Sequence, residues 1–202
     1  MVLPIVRYPA QVLRAKCRPV MEVTERHREL AVDMIETMKD AHGVGLAAPQ
    51  VEVDEQMAVI DCSHDPECVT YLRVNGEDRK LLEFMPIVFL NPKIEGGKVK
   101  EAGEEGCLSI PELRAKVTRP EGIKVTYQTL DGEEMTVETD GLLARAFQHE
   151  IDHLNGVLFI DRVSAAAKVG VMRRLKWLVV EWAADDAKAA ERAKRQQANA
   201  KA

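Results

Sequence analysis

Apolar residues recur at helical spacing in three stretches of the chain and alternate with polar ones in several shorter stretches. From Thr24 to about Ala41, Leu30, Ala31, Met34, Ile35 and Met38 fall on one side of a 3.6-residue repeat, with Thr24 as a candidate N-cap. Segments of β type follow at Met57–Asp61, at Ile87–Leu90 just before Asn91-Pro92, and at Leu113–Thr118, where Leu113, Ala115 and Val117 alternate. Ile123–Thr129 and Glu134–Thr139 flank Leu130-Asp131-Gly132-Glu133. Asp-Gly tolerates the positive φ of a tight turn, so this stretch predicts an antiparallel hairpin. A second helix is predicted from Asp140, a candidate N-cap, to Asn155, where Gly156 is placed to end it. A third starts near Ala165 and takes its apolar side from Met172, Leu175, Leu178, Val179 and Trp182. Alanine and polar residues beyond Trp182 offer little to bury, so that end is expected to fray. Helices kept apart from a run of antiparallel strands give an α+β fold, with antiparallel sheets packed around the second helix and a helix at the C-terminal end. No repeat or Gly/Ser linker marks a further domain, so the expected division is a main domain over residues 1–165 and a C-terminal helix with a tail over 166–202.

Composition narrows the class. Of 202 residues, 46% are hydrophobic and 30% charged, which is enough apolar content for a real core and excludes disorder along the whole chain. No apolar run approaches the roughly 18 residues of a membrane helix. Met1-Val2-Leu3-Pro4-Ile5-Val6-Arg7 lacks the basic start and apolar stretch of an export leader. Four cysteines in a chain of this length, without such a leader, read as reduced thiols or metal ligands and predict a cytosolic protein with no membrane contact. The net charge of −5 is unevenly spread: residues 168–202 hold nine Lys/Arg against four Asp/Glu, so an acidic body carries a basic tail. Such a tail is either a solvated helix or a tether to a polyanion such as RNA.

The second helix contains the chemistry. His149-Glu150-Ile151-Asp152-His153 matches H-E-x-x-H. At about 100° and 1.5 Å per residue, the two histidines lie about 40° apart around the axis and about 6 Å apart along it, so both imidazoles reach one ion. Glu150 is offset from them, beside the ion and poorly aimed as a third ligand. Leu143, Phe147, Ile151 and Leu154 form a wide apolar face, leaving a narrow polar strip of Arg145, Gln148 and Asp152. The helix is therefore mostly buried, and a hydrogen-bonded core cluster is the alternative reading of its histidines. Two histidines are too few for a tight site. Cys107, next to Gly106 in Glu105-Gly106-Cys107-Leu108-Ser109, is the candidate third ligand, although a free cysteine is as often a small buried apolar residue. One cysteine and two histidines leave a tetrahedral ion with an open position, as in catalytic sites. Leu142 and Ala146, on the histidine side of the helix, are candidates for an apolar substrate pocket, with simple core packing as the alternative for each.

Three segments in order, Gly43-Val44-Gly45-Leu46-Ala47-Ala48-Pro49-Gln50, Glu105–Ser109 and Gln148–His153, resemble the signature motifs of the peptide deformylases. The resemblance extends over about residues 3–165. It implies an α+β catalytic domain whose central helix carries the metal ligands. It also implies hydrolytic release of formate from the N-terminal formylmethionine of nascent polypeptides, the N-formylmethionyl peptides being the substrates. The implied ion is held by Cys107, His149 and His153, with iron(II) expected and zinc, nickel or cobalt able to replace it. Bound water whose pKa falls from about 16 toward about 7 becomes the attacking hydroxide. Glu150 serves as general acid and base, and the Leu108 N–H and Gln50 amide receive the developing negative charge. The resemblance further implies that Val44, Gly45 and Gly106 pair with the peptide backbone, that Arg114 lies near the downstream residues, and that Glu105 pairs with Arg119. Because nascent chains are found at the ribosome, the basic tail becomes a candidate ribosome contact.

Between Asp61 and Phe84 the chain is longer than in compact family members and holds Cys62, His64 and Cys68. The C-x₅-C spacing is wider than the usual zinc hook, so a solvated loop is expected there ahead of a second ion. Two other classes remain open from the residues alone. A zincin-type metallopeptidase shares H-E-x-x-H but takes a downstream third ligand, and no histidine follows His153. A binding module with a purely structural ion would release no formate.

Overall fold

The computed structural model describes residues 1–199, which divide into two compact units, Met1–Val163 and a second beginning at Ser164. In the first unit, α1 (Glu25–Asp40) starts where the sequence places it. The Thr24 backbone N–H donates to His27 Nδ1 at 3.0 Å, while Ala31, Met34 and Met38 are buried.

Seven antiparallel strands form the main sheet. They are β1 (Gly45–Ala47), β2 (Met57–Ile60), β3 (Leu72–Val74), β4 (Glu77–Asp78), β5 (Ile87–Gly96), β8 (Ile123–Gln128) and β9 (Glu134–Thr139), in the order β1-β2-β5-β8-β9-β3-β4. Between β5 and β8 in the chain, β6 (Lys100–Cys107) and β7 (Ile110–Pro120) pair with each other as a separate two-stranded sheet. The predicted Asp-Gly hairpin is present, with Tyr127 opposite Met135 and Gly132 at φ +82°.

The helix α3 (Gly141–Leu154) packs on the main sheet through Leu143, Phe147, Ile151 and Leu154, the apolar face its periodicity predicts. The rings of Phe89, Tyr127 and Phe147 pack at centroid distances of 5.1 to 6.2 Å. Met34 and Met38 of α1 join a second apolar cluster with Leu46, Met57, Val59 and Leu90. Successive side chains of a strand point to opposite faces, so β2 gives Met57 and Val59 to one cluster and Ala58 and Ile60 to the other. All four are buried for that reason.

Four features depart from the sequence reading. The 61–84 stretch is more than a solvated loop: Leu72, Val74 and Leu81 are core residues, β3 extends the sheet beside β9, and a short helix α2 (Leu81–Phe84) follows. Asp140 occupies the N-cap position of α3, but its carboxylate accepts from the backbone N–H groups of Thr70 (2.8 Å) and Tyr71 (3.3 Å) instead of capping its own helix. Strand β6 has no apolar alternation to announce it. After the short α4 (Phe159–Arg162), the helix α5 (Ala165–Asn199) continues well past Trp182, because its Ala, Lys, Arg, Glu and Gln residues are strong helix formers even with little to bury. Described by itself, α5 stacks the Arg174 guanidinium on Trp177 at 4.1 Å.

Candidate metal centre and active site

The i, i+4 spacing on α3 sets the His149 and His153 rings 5.0 Å apart, and β6 ends at Cys107 beside them. One donor atom from each of Cys107, His149 and His153 lies within 4.8 Å of the other two, and Cys107 Sγ is 3.2 Å from His153 Nε2. His149 Nδ1 is engaged by Glu105 Oε2 at 3.1 Å, which leaves Nε2 as the donor atom for an ion.

Glu105 is itself held by a buried network. Arg119 donates Nε to Oε1 (2.6 Å) and Nη2 to Oε2 (2.9 Å), and Arg145 donates Nη1 to Oε1 (2.8 Å). The remaining Arg119 nitrogen reaches Asp152 Oδ2 at 2.8 Å, and Arg162 closes on the same carboxylate. Burial alone would raise the Glu105 pKa, but the hydrogen bonds from Arg119 and His149 outweigh it and hold the carboxyl near about 2. Burial opposes charge on His149, yet its bonds to Cys107 and Glu105 raise its pKa. For His153, burial and the neighbouring His149 act together and keep the ring neutral, the form that ligates metals.

Glu150 is buried, and burial lifts its carboxyl to about 7. Its Oε2 has no hydrogen-bond partner among the described residues. A buried carboxylate oxygen without a partner is costly, and a water on an ion between Cys107 and the two histidines would satisfy it. A thiol, two imidazoles and this orphaned acceptor together fit a catalytic divalent ion. The positive charge of that ion opposes the rise in the Glu150 pKa. Gly45 lies against Glu150: a Cβ at Gly45 would sit 2.3 Å from Oε1.

Gln50 follows β1 in a turn of 3₁₀-helix and is fully buried. Its Oε1 accepts from the Ala47 N–H at 2.9 Å, which turns Nε2 toward Ser109 Oγ (3.1 Å) and Cys107 Sγ (3.6 Å). A cavity of about 540 Å³ is lined by Val44, Gly45, Gln50, Gly106, Cys107, Leu108, Arg114, Leu142, Ala146, His149 and Glu150. His153 is not in its wall; it closes the ligand cluster from behind. Arg114 is at the exposed rim, 3.6 Å from Glu104.

The sequence profile of the polypeptide deformylase family matches residues 2–181. The chain belongs to the polypeptide deformylase family. It shares 44% identity over 176 residues with the peptide deformylase of Acidobacterium capsulatum, covering 87% of this chain and 95% of that one. Among solved structures, the Thermotoga maritima peptide deformylase superposes with a TM-score of 0.69 at 40% identity, covering 81% of this chain and 99% of that one. The Legionella pneumophila enzyme superposes with a TM-score of 0.75 at 34% identity, covering 91% and 98%.

As a deformylase, the chain is a metal-dependent hydrolase that removes the N-formyl group from nascent polypeptides. Membership sets aside the metallopeptidase and the binding module. Among the described residues, Cys107, His149 and His153 form the one group of three such side chains whose donor atoms converge, and Cys62, His64 and Cys68 are not gathered in that way. Cys62 is instead buried in the core. Among the described residues, no helix is long and apolar enough to cross a membrane. Residue-level reading of the deformylase chain did not find Ser109 against Gln50, Asp152 bridging two arginines, or Arg145 on Glu105. The polar strip on α3 was the available signal for the last two.

Proposed function

We propose that Cys107, His149 and His153 hold one divalent ion, iron(II) in the cell, replaceable by zinc, nickel or cobalt. Glu150 is the general acid and base of deformylation. When bound, the ion supplies Lewis acidity that makes water nucleophilic at neutral pH. Glu150 Oε2 takes a proton from that water and returns it to the leaving amine nitrogen, transfers worth about 10² to 10⁴ in rate.

Gln50 Nε2 and the Leu108 N–H donate to the formyl oxygen as its charge develops, and losing one such donor costs about 3 to 4 kcal/mol of barrier. Pinning of Gln50 Oε1 by Ala47 supports this role, since it keeps Nε2 facing Cys107, where the hydrogen on the long 3.6 Å contact to Sγ is the one to pass to the formyl oxygen. Leu142 and Ala146 receive the methionine side chain. Val44, Gly45 and Gly106 pair with the peptide backbone in strand-addition mode, and Arg114 meets residues downstream. Residues 1–165 act as the catalytic domain in the cytoplasm, and the 166–202 segment contacts the ribosome through its positive charge.

The observation that carries the reading is the convergence of one sulfur and two imidazoles beside a buried, unpartnered carboxylate oxygen. A Cys107→Ser protein, assayed for bound metal and for formate released from formyl-Met-Ala, is expected to lose both. Full activity in that variant overturns the assignment.

A further inference from the structure

Arg145 lies one helical turn before His149 on α3, and its side chain is mostly buried. Its guanidinium crosses the β6–β7 pair where Gly103 stands opposite Val117. Nη1 donates to the Val117 carbonyl at 3.1 Å and to Glu105 Oε1 at 2.8 Å, and Nη2 donates to the Glu101 carbonyl at 3.3 Å. One planar head therefore engages backbone on both strands of the hairpin and the carboxylate that orients His149. Gly103 makes room for it: a Cβ there would fall 2.7 Å from the guanidinium carbon and 2.8 Å from Nη2. The hairpin strand ends in Cys107, four residues beyond Gly103, while His149 and His153 lie on the helix from which Arg145 projects.

The geometry points to Arg145 as a positioning residue of the metal centre, seated over Gly103 and bracing the strand that bears Cys107 against the helix that bears both histidines. Arg119 already clamps the Glu105 carboxylate in a fork. What Arg145 adds is the link to the two strand backbones, which fixes the separation of sulfur and imidazoles. The shape of the head matters, since lysine presents one ammonium where arginine presents a flat set of donors to three separate acceptors. The inference rests on the Cys107–His149–His153 centre proposed above.

Cobalt(II)-loaded protein is challenged with excess chelator, and metal loss is followed by the thiolate–cobalt absorbance. Groups bonded directly to metal ligands, as Glu105 is to His149, change affinity by about 10- to 100-fold; Arg145 acts through Glu105 and the strand backbones, so Arg145→Met is expected to release cobalt faster by up to about 10-fold, with Arg145→Lys in between. Gly103→Ala keeps the arginine but displaces its head, and is expected to release cobalt like Arg145→Met. The double variant is expected to be no faster than Arg145→Met alone, because the Cβ then has nothing to displace. Release from Arg145→Met at the parental rate overturns the proposal, and so does independent multiplication of the two effects. If Arg145→Met does not fold, Gly103→Ala and Arg145→Lys decide by the same rates, and parental release from both overturns it. A parent chain that takes up no cobalt overturns the metal centre and this brace together. A loaded parent with an indifferent Arg145→Met overturns the brace alone.

Discussion

Glu150 shows one cause with two consequences: burial lifts its carboxyl to about 7 and leaves an oxygen without a partner beside the three side chains proposed to hold the ion. Replacing it with glutamine preserves shape and removes the carboxyl that can accept and return a proton. Glu150→Gln should therefore keep its metal while formate release falls by about 10² to 10⁴; wild-type turnover with metal retained would deny Glu150 its role. At this scale the sequence was legible where helix periodicity governs. His149, Glu150 and His153 sit where 100° per residue places them, and Leu142 and Ala146 do line the cavity. Arg145 and Ser109 were not legible, because their partners are backbone carbonyls or side chains on segments dozens of positions away.

Among the elements, α3 and the β6–β7 hairpin are joined by charge. Arg119 on β7 bonds Glu105 on β6 and Asp152 on α3, all of them buried. Removing one member of such a cluster strands the others in a poor solvent for ions and costs about 3 to 5 kcal/mol. Arg119→Met should show that loss as a lower urea midpoint at neutral pH, whereas a loss under about 1 kcal/mol would mean that water reaches the carboxylates. The hairpin explains what the hydrophobic pattern concealed. Lys100-Glu101-Ala102-Gly103-Glu104-Glu105-Gly106-Cys107 has no apolar alternation, yet it pairs along β7 from Lys100–Pro120 to Cys107–Ile110. Its inward positions face arginines instead of an apolar core, so a search for alternating apolar residues passes over it. By contrast, β8, β9 and α3 face hydrocarbon and were legible, the strands from the Asp-Gly turn between them and the helix from its apolar face and its terminal residues.

Across the whole molecule, the thiols sort by burial. Cys17 and Cys62 are buried, and burial pushes their pKa values from 9.0 up to about 11 and about 12. A raised folded pKa means that the native state holds those protons more tightly than the unfolded chain. The associated stability is complete below about pH 9 and drains away as pH rises through 11 and 12. Urea midpoints measured from pH 8 upward should fall, and Cys62→Ala should fall less steeply than the parent; identical slopes would remove Cys62 from the account. The basic tail gives a second test at this scale. Truncation after Trp182 should weaken ribosome association in a salt-dependent way and leave hydrolysis of a free formylated dipeptide nearly unchanged. Equal ribosome binding by both forms at low salt would dismiss the tether.

The sulfur and imidazoles proposed to hold the ion come from positions 107, 149 and 153, and the residues around them from 44–50, on three stretches that meet only after the sheet and the helix have closed on one another. A growing chain that has not yet reached position 149 holds Cys107 without either of the two imidazoles that meet it in the folded protein. The three-donor grip therefore exists only once tertiary assembly is complete, and tight loading with metal waits for it.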